Sequence, residues 1–222
     1  MDGRKMNSPA IRECDFKTSL PPAAEGIFQA IWDIYVASIP ASERKDRDAL
    51  ARMAHSDRYR IHIAEQAGQV AAFSIVYRSD QHDFALLEYF ATMPALRNQG
   101  VGGQLLDHVL ADQGDTPVLL EVEAPPSTDQ SGDSMESRRI GFYQRHGARV
   151  IEDFGYILPL KTAGTPPPMV ILIGAAEHLT SISAAMLRDW LGDIYENVYG
   201  VDRSGPEFQS MFSKPQTAFG LH

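Results

Sequence analysis

Apolar positions along this chain follow two rhythms, and the points where one gives way to the other mark its elements. Ile27, Ile31, Ile34 and Tyr35 recur at the three- and four-residue spacing of a helix face, up to a break over residues 38–44 that contains Pro40. A shorter helix is predicted around Leu50 and Met53. Residues 59–64 and 70–77 then read as strands, joined around Gln66-Ala67-Gly68, where the glycine supplies the positive φ of a hairpin. The polar run 78–83 turns the chain into a strand over 84–93, closed by Pro94, which cannot donate to a ladder. Residues 104–110 return to the helical period, with Val101, Leu105, Leu106 and Val109 facing inward, and 117–123 is a second buried strand.

Past residue 160 the pattern changes. Residues 164–168, Gly-Thr-Pro-Pro-Pro, form a stiff connector, and 169–173 are an uninterrupted apolar strand. A helix is predicted to start near Thr180 or Ser181, with Leu187, Trp190, Leu191, Ile194 and Val198 on one face. That stripe is a core face or a two-fold contact between copies, so a homodimer is an expectation here. From Val201 no periodicity is legible. The domain reading is a loose leader at 1–20 with room for one strand, a compact domain at 21–160, a strand and helix over 161–200 packed on it, and an irregular tail at 201–222. The fold class is α/β in the broad sense (α+β), a mixed, mostly antiparallel sheet flanked by helices.

Composition narrows the function classes. The 222 residues are 44% hydrophobic and 22% charged, enough to bury a full core. A net charge of -9 argues against nonspecific nucleic-acid binding, which needs clustered Lys and Arg. The N-terminus has no apolar core segment and no run is long enough to span a bilayer, which predicts a cytoplasmic protein without a membrane partner. Cys14 is the single cysteine, so no internal disulfide is expected and a spare thiol is its plainest role. The seven histidines show no metal-ligand spacing, and no metal is predicted.

The most informative segment is Arg97-Asn98-Gln99-Gly100-Val101-Gly102-Gly103, a glycine-rich turn opening a helix directly after a strand. Such a turn points backbone N–H groups outward at the positive end of a helix dipole, where a pyrophosphate fits. No lysine follows as in a P-loop, and the third glycine breaks the spacing of the dinucleotide fingerprint. The segment resembles the acyl-coenzyme A signature Arg/Gln-x-x-Gly-x-Gly/Ala of the GNAT superfamily of acetyltransferases. Residues 87–94 resemble that family's fourth strand, and Phe142-Tyr143-Gln144-Arg145-His146-Gly147 resembles its closing Tyr-x-x-x-Gly. The resemblance covers about residues 25–160.

It implies the GNAT fold, acetyl-CoA as co-substrate and transfer of an acetyl group to a primary amine by direct attack. It also implies coenzyme contacts from the backbone of Phe90, Ala91 and Thr92 and from residues 97–103. Tyr143 takes the position of the family tyrosine assigned as general acid, whereas Glu136 stands where many members carry an asparagine. Glu121, followed by Glu123 on the same strand face, and Glu88 on the preceding strand are the rival general bases, since an acid inside an apolar strand is costly unless paired or set in a wet cleft. The loop between the first two helices commonly overhangs the acceptor site in this family, and Glu43, Arg44 and Lys45 lie there. A small-molecule amine is the expected acceptor, and a catalytically silent coenzyme-binding or sensor module is the alternative.

Overall fold

The structure, a computed structural model, describes residues 8–17, 23–41, 43–159 and 167–222. The connector at 164–168 therefore lies outside the described residues except for Pro167 and Pro168. Seven strands form one mixed, mostly antiparallel sheet in the order β1-β2-β3-β4-β5-β7-β6. The chain divides into two compact units, and the cuts fall at places the sequence pattern does not mark. One comprises the residues up to Arg78 together with Leu87–Asp112, the other Ser79–Leu86 and the chain from Gln113 onward.

The first unit is built on β1 (Ala10–Glu13), β2 (Tyr59–Gln66), β3 (Gln69–Arg78) and most of β4 (Ala85–Thr92). The β2–β3 hairpin turns at Ala67 (φ 51°) and Gly68 (φ 77°), so alanine as well as the expected glycine takes the left-handed conformation. β3 is buried from Val70 to Tyr77, which explains its unbroken apolar run: both faces of the strand are covered. On one face lie α1 (Ala23–Ser38) and α2 (Arg47–Ala54), packing Ile31, Tyr35 and Leu50 against Ile61, Phe73 and Ile75. α2 starts where Asp46 accepts a hydrogen bond from the Ala49 N–H at 2.7 Å. α3 (Val101–Gln113) follows β4 through a 3-10 turn at Pro94–Leu96.

In the second unit Ala85 and Leu86 of β4 pair in parallel with Val118 and Leu119 of β5 (Val118–Glu123). β7 (Met169–Gly174) runs antiparallel to β5 from Val118↔Gly174 to Glu123↔Met169, and β6 (Arg149–Val150) pairs with the other side of β7. α4 (Met135–Arg145) begins at Ser134, whose hydroxyl accepts from the Ser137 N–H at 3.1 Å. It ends at Gly147, whose φ of 85° lets the Ala148 N–H reach back to the Tyr143 carbonyl at 3.1 Å.

The C-terminal region departs from the sequence reading in two ways, at the start of its helix and in its tail. Ser181–Ser183 form a short strand, β8, paired with β9 (Ala218–Gly220), so α5 starts later than expected, at Ala184 with Ser183 as its cap (Ala184–Asp193). The stripe from Leu187 to Val198 is buried inside this unit, with Trp190 stacked on Phe84 at 5.4 Å, in line with the core alternative of its reading. The tail read as irregular forms α6 (Pro206–Met211) and β9, and Val150 exchanges hydrogen bonds with His222. It is anchored by Phe208, 4.9 Å from the Tyr195 ring, and by Phe212 and Phe219, 5.4 and 5.1 Å from that of Phe154. Among the described residues no helix is long and apolar enough to cross a membrane.

Candidate active site

The glycine-rich turn is exposed from Arg97 to Gly100, and α3 begins behind it with Val101 buried. Asn98 (φ 62°) and Gly100 (φ 82°) are both left-handed, which reverses the chain sharply enough to start a helix with only four residues between it and the 3-10 turn. The first bond of the helix runs from the Gln104 N–H to the Gly100 carbonyl at 3.1 Å, so the N–H groups of Val101, Gly102 and Gly103 have no acceptor within the helix. Arg97 is turned back on the protein, donating to the Thr92 carbonyl at 3.3 Å and the Ser38 hydroxyl at 3.1 Å, and Gln99 donates to the Ala95 carbonyl at 3.1 Å. Side chains brace the turn, and its main-chain N–H groups at the helix start are of the kind that can meet an anion. A Cβ on Gly102 would stand 2.8 Å from Thr92 Oγ1, with the Phe90 ring next nearest, so glycine is what lets α3 start this close to β4.

Four residues before Thr92 on β4, Glu88 is 3% exposed at its side chain. Its Oε1 pairs with the Lys45 ammonium from the loop between α1 and α2, and the Tyr59 phenol lies beside the carboxylate. Oε2 is buried with no aligned hydrogen-bond donor among the described residues. Burial pushes the Glu88 carboxyl above its ordinary value, and the Lys45 charge pulls against that. The same loop is drawn down by further bonds: the Tyr89 hydroxyl donates to the Glu43 carbonyl at 3.3 Å and the Lys45 N–H donates to the Tyr35 hydroxyl at 2.7 Å. Of the three charged residues noted there, Lys45 reaches the strand by its side chain and Glu43 by its backbone, while Arg44 donates back to the Ile39 carbonyl at 2.6 Å. Tyr59 and Tyr89 are members of this site that sequence reasoning missed; their signal, aromatic residues on strands, also fits plain core packing.

In the second unit, Glu121 on β5 accepts from two phenols. Tyr156 donates to Oε1, and Tyr199 donates to Oε2 at 2.6 Å. Tyr199 ends a π-helical turn over Ile194–Tyr199 that continues α5, and the wider turn also carries Tyr195, whose hydroxyl donates to the Ile157 carbonyl. Neither tyrosine partner of Glu121 was found from sequence, because both come from segments remote from β5. Tyr143, on α4, is buried, and that burial pushes its phenol up to about 12, so it keeps its proton across the working pH range. Glu136 lies in the first turn of α4, where an acid is favoured by the helix dipole whatever else it does.

Cys14 is buried, and burial pushes its thiol up to about 11, the opposite of what a nucleophile needs. The fold also gathers Glu13, His62 and Asp112, whose ligand atoms all lie within 4.8 Å of one another, a grouping that spacing along the chain does not reveal.

Residues 57–147 match the family model of the "Acetyltransferase (GNAT) domain". Among solved structures, a protein assigned to the GNAT acetyltransferase family of Bacteroides thetaiotaomicron is 26% identical, with 86% of this chain and 99% of that one covered and a TM-score of 0.68. The ribosomal-protein-S18-alanine N-acetyltransferase of Escherichia coli is 20% identical over 74% of this chain and 92% of its own, at 0.51. An aminoglycoside 6'-N-acetyltransferase complexed with coenzyme A is 14% identical over 74% and 95%, at 0.56. The latter two likenesses carry the fold alone. No curated protein sequence matches.

Proposed function

From the premise that residues 57–147 are a GNAT acetyltransferase domain and the protein is an acyltransferase, we propose that it moves an acetyl group from acetyl-CoA to the primary amine of a small molecule by direct attack. The observation that carries this reading is the glycine turn, exposed over 97–100, with the N–H groups of 101–103 left without an acceptor within the helix at the start of α3. The N–H groups of Val101, Gly102 and Gly103 hold the coenzyme's pyrophosphate, and the backbone of Phe90, Ala91 and Thr92 binds its pantetheine arm. When bound, the coenzyme supplies the thioester. Every proton movement is left to the chain.

Glu88 is the general base in this reading. A base works best when its pKa lies near the working pH, and burial has already moved the Glu88 carboxyl in that direction, leaving Oε2 to receive a proton. Lys45 leaves Oε1 as the acceptor arrives. Glu121, with an oxygen already committed to each of two phenols, positions its surroundings. Tyr143 holds its proton for the departing sulfur. An ordinary thiol titrates near ~8.5, well below this phenol, so Tyr143 Oη acts as a hydrogen-bond donor to a sulfur that leaves as thiolate, while the amine's proton passes to Glu88.

Calorimetry with acetyl-CoA, followed by an amine panel with free thiol as the readout, tests the reading. Binding with thiol release for one amine class is expected. Binding without release for any amine points to the silent module, and absence of binding overturns the proposal.

A further inference from the structure

We propose that Glu13, His62 and Asp112 form a binding site for a divalent transition-metal ion of the zinc class, at a place in the first unit separate from the coenzyme turn and Glu88. Glu13 on β1 and His62 on β2 are direct cross-strand partners, and Asp112 comes from the C-terminal end of α3. Their three ligand atoms lie within 4.8 Å of one another.

The central group is His62, which is fully buried on the sheet face away from the α1–α2 core. Its Nε2 lies 3.3 Å from Asp112 Oδ2, in ion-pair range, yet makes no aligned hydrogen bond among the described residues. A buried imidazole nitrogen whose 3.3 Å contact with a carboxylate is misaligned for a hydrogen bond is poorly satisfied, and a cation between the two satisfies both. Ligation needs a neutral ring with its proton on Nδ1. Ser74 Oγ, 3.4 Å from Nδ1, is placed to accept a hydrogen bond from it.

The dimensions agree with a small ion. Around a tetrahedral zinc with bonds of ~2.0–2.1 Å, neighbouring ligand atoms stand roughly 3.3 Å apart. His62 and Asp112 already have that spacing. Glu13 is an exposed side chain that closes the remaining gap by a rotamer change; its Oε2 accepts from Arg60 at 2.7 Å in a surface pair of the weak kind. One imidazole and two carboxylates suit zinc better than magnesium, which avoids nitrogen, and three protein ligands leave a fourth position for water. The ion ties the four-residue edge strand β1 to β2 and α3, a structural clasp that does not depend on the acetyltransferase reading.

The test is calorimetric titration of chelator-treated, metal-free protein with Zn2+, repeated on Asp112→Asn and Glu13→Gln, which keep every histidine. Wild type is expected to bind one ion per chain, with a higher melting temperature and, with Co2+ as probe, the intense visible bands of a four-coordinate site. Each variant should bind at least ~10-fold more weakly while acetyl-CoA binding is unchanged. His62→Asn should abolish binding; because it alters a buried residue, the two surface variants carry the test if it fails to fold. No saturable Zn2+ binding, equal binding in wild type and both variants, or preference for Mg2+ would overturn the proposal.

Discussion

Glu88 and Glu121 look alike in sequence, each a lone acid within an apolar strand, and the folded protein treats them in opposite ways. Glu88 is closed off by a lysine from a loop, keeps one buried oxygen without an aligned donor, and is raised by burial. Glu121 is held from both oxygens by Tyr156 and Tyr199. A carboxylate with both oxygens committed is a fixed part of the framework, whereas one paired with a flexible cation, with a phenol beside it, can exchange that cation for a substrate. The cost of burying an acid therefore marks both as special, and the identity of the partner separates chemistry from architecture.

The comparison is broken most directly by paired substitutions. Glu88→Gln is expected to lower kcat by about 10²–10³-fold while acetyl-CoA binding is kept, since general base catalysis contributes on that order; calorimetry and steady-state rates check it. If Glu121→Gln produces that loss and Glu88→Gln does not, the assignment is reversed. Tyr143→Phe should lower kcat by roughly 10–10²-fold without weakening coenzyme binding, through loss of a single hydrogen-bond donor.

The pH profile sharpens the contrast further. In wild type the acid limb of kcat/KM is expected above the ordinary glutamate value of ~4.3, because Glu88 must be ionised to accept a proton and its pKa is raised. Lys45 lowers that pKa, so Lys45→Met should move the limb to higher pH, and Glu88→Gln should remove it. A limb unchanged in both variants would assign it to another group.

Glu121→Gln is expected to change kcat by less than ~10-fold but to cost about 1.5–3 kcal/mol of stability, the range for hydrogen bonds to a charged group, read as a fall in melting temperature. Smaller still is Gly102→Ala. Its new Cβ meets Thr92 Oγ1 at 2.8 Å, a short contact that one side-chain rotation relieves, for about 1 kcal/mol and a modest weakening of coenzyme binding.

Much of the fold was legible because its elements carry strong periods. The hairpin of β2 and β3, the strand-turn-helix of β4 and α3, and α1 up to Pro40 all follow from spacing and from the turn residues at 67–68 and 98–100. The C-terminal region was not. α6 and β9 are short and held by Phe208, Phe212 and Phe219, a single i, i+4 pair and one residue that together span too little chain to set a period.

The candidate site divides in the same way. Sequence alone located the glycine turn that opens a helix at 101, whose first N–H groups lack an acceptor within the helix whatever packs around them, and it singled out Glu88, Glu121 and Tyr143. Only the tertiary structure decided what each one faces. Lys45 lies 43 positions from Glu88 and Tyr199 78 from Glu121, while Glu13, His62 and Asp112 come from three different elements. Local spacing encodes the backbone because φ and ψ depend on near neighbours. The charge and hydrogen-bond partners that set a side chain's chemistry arrive through packing, from distances along the chain that no local pattern records.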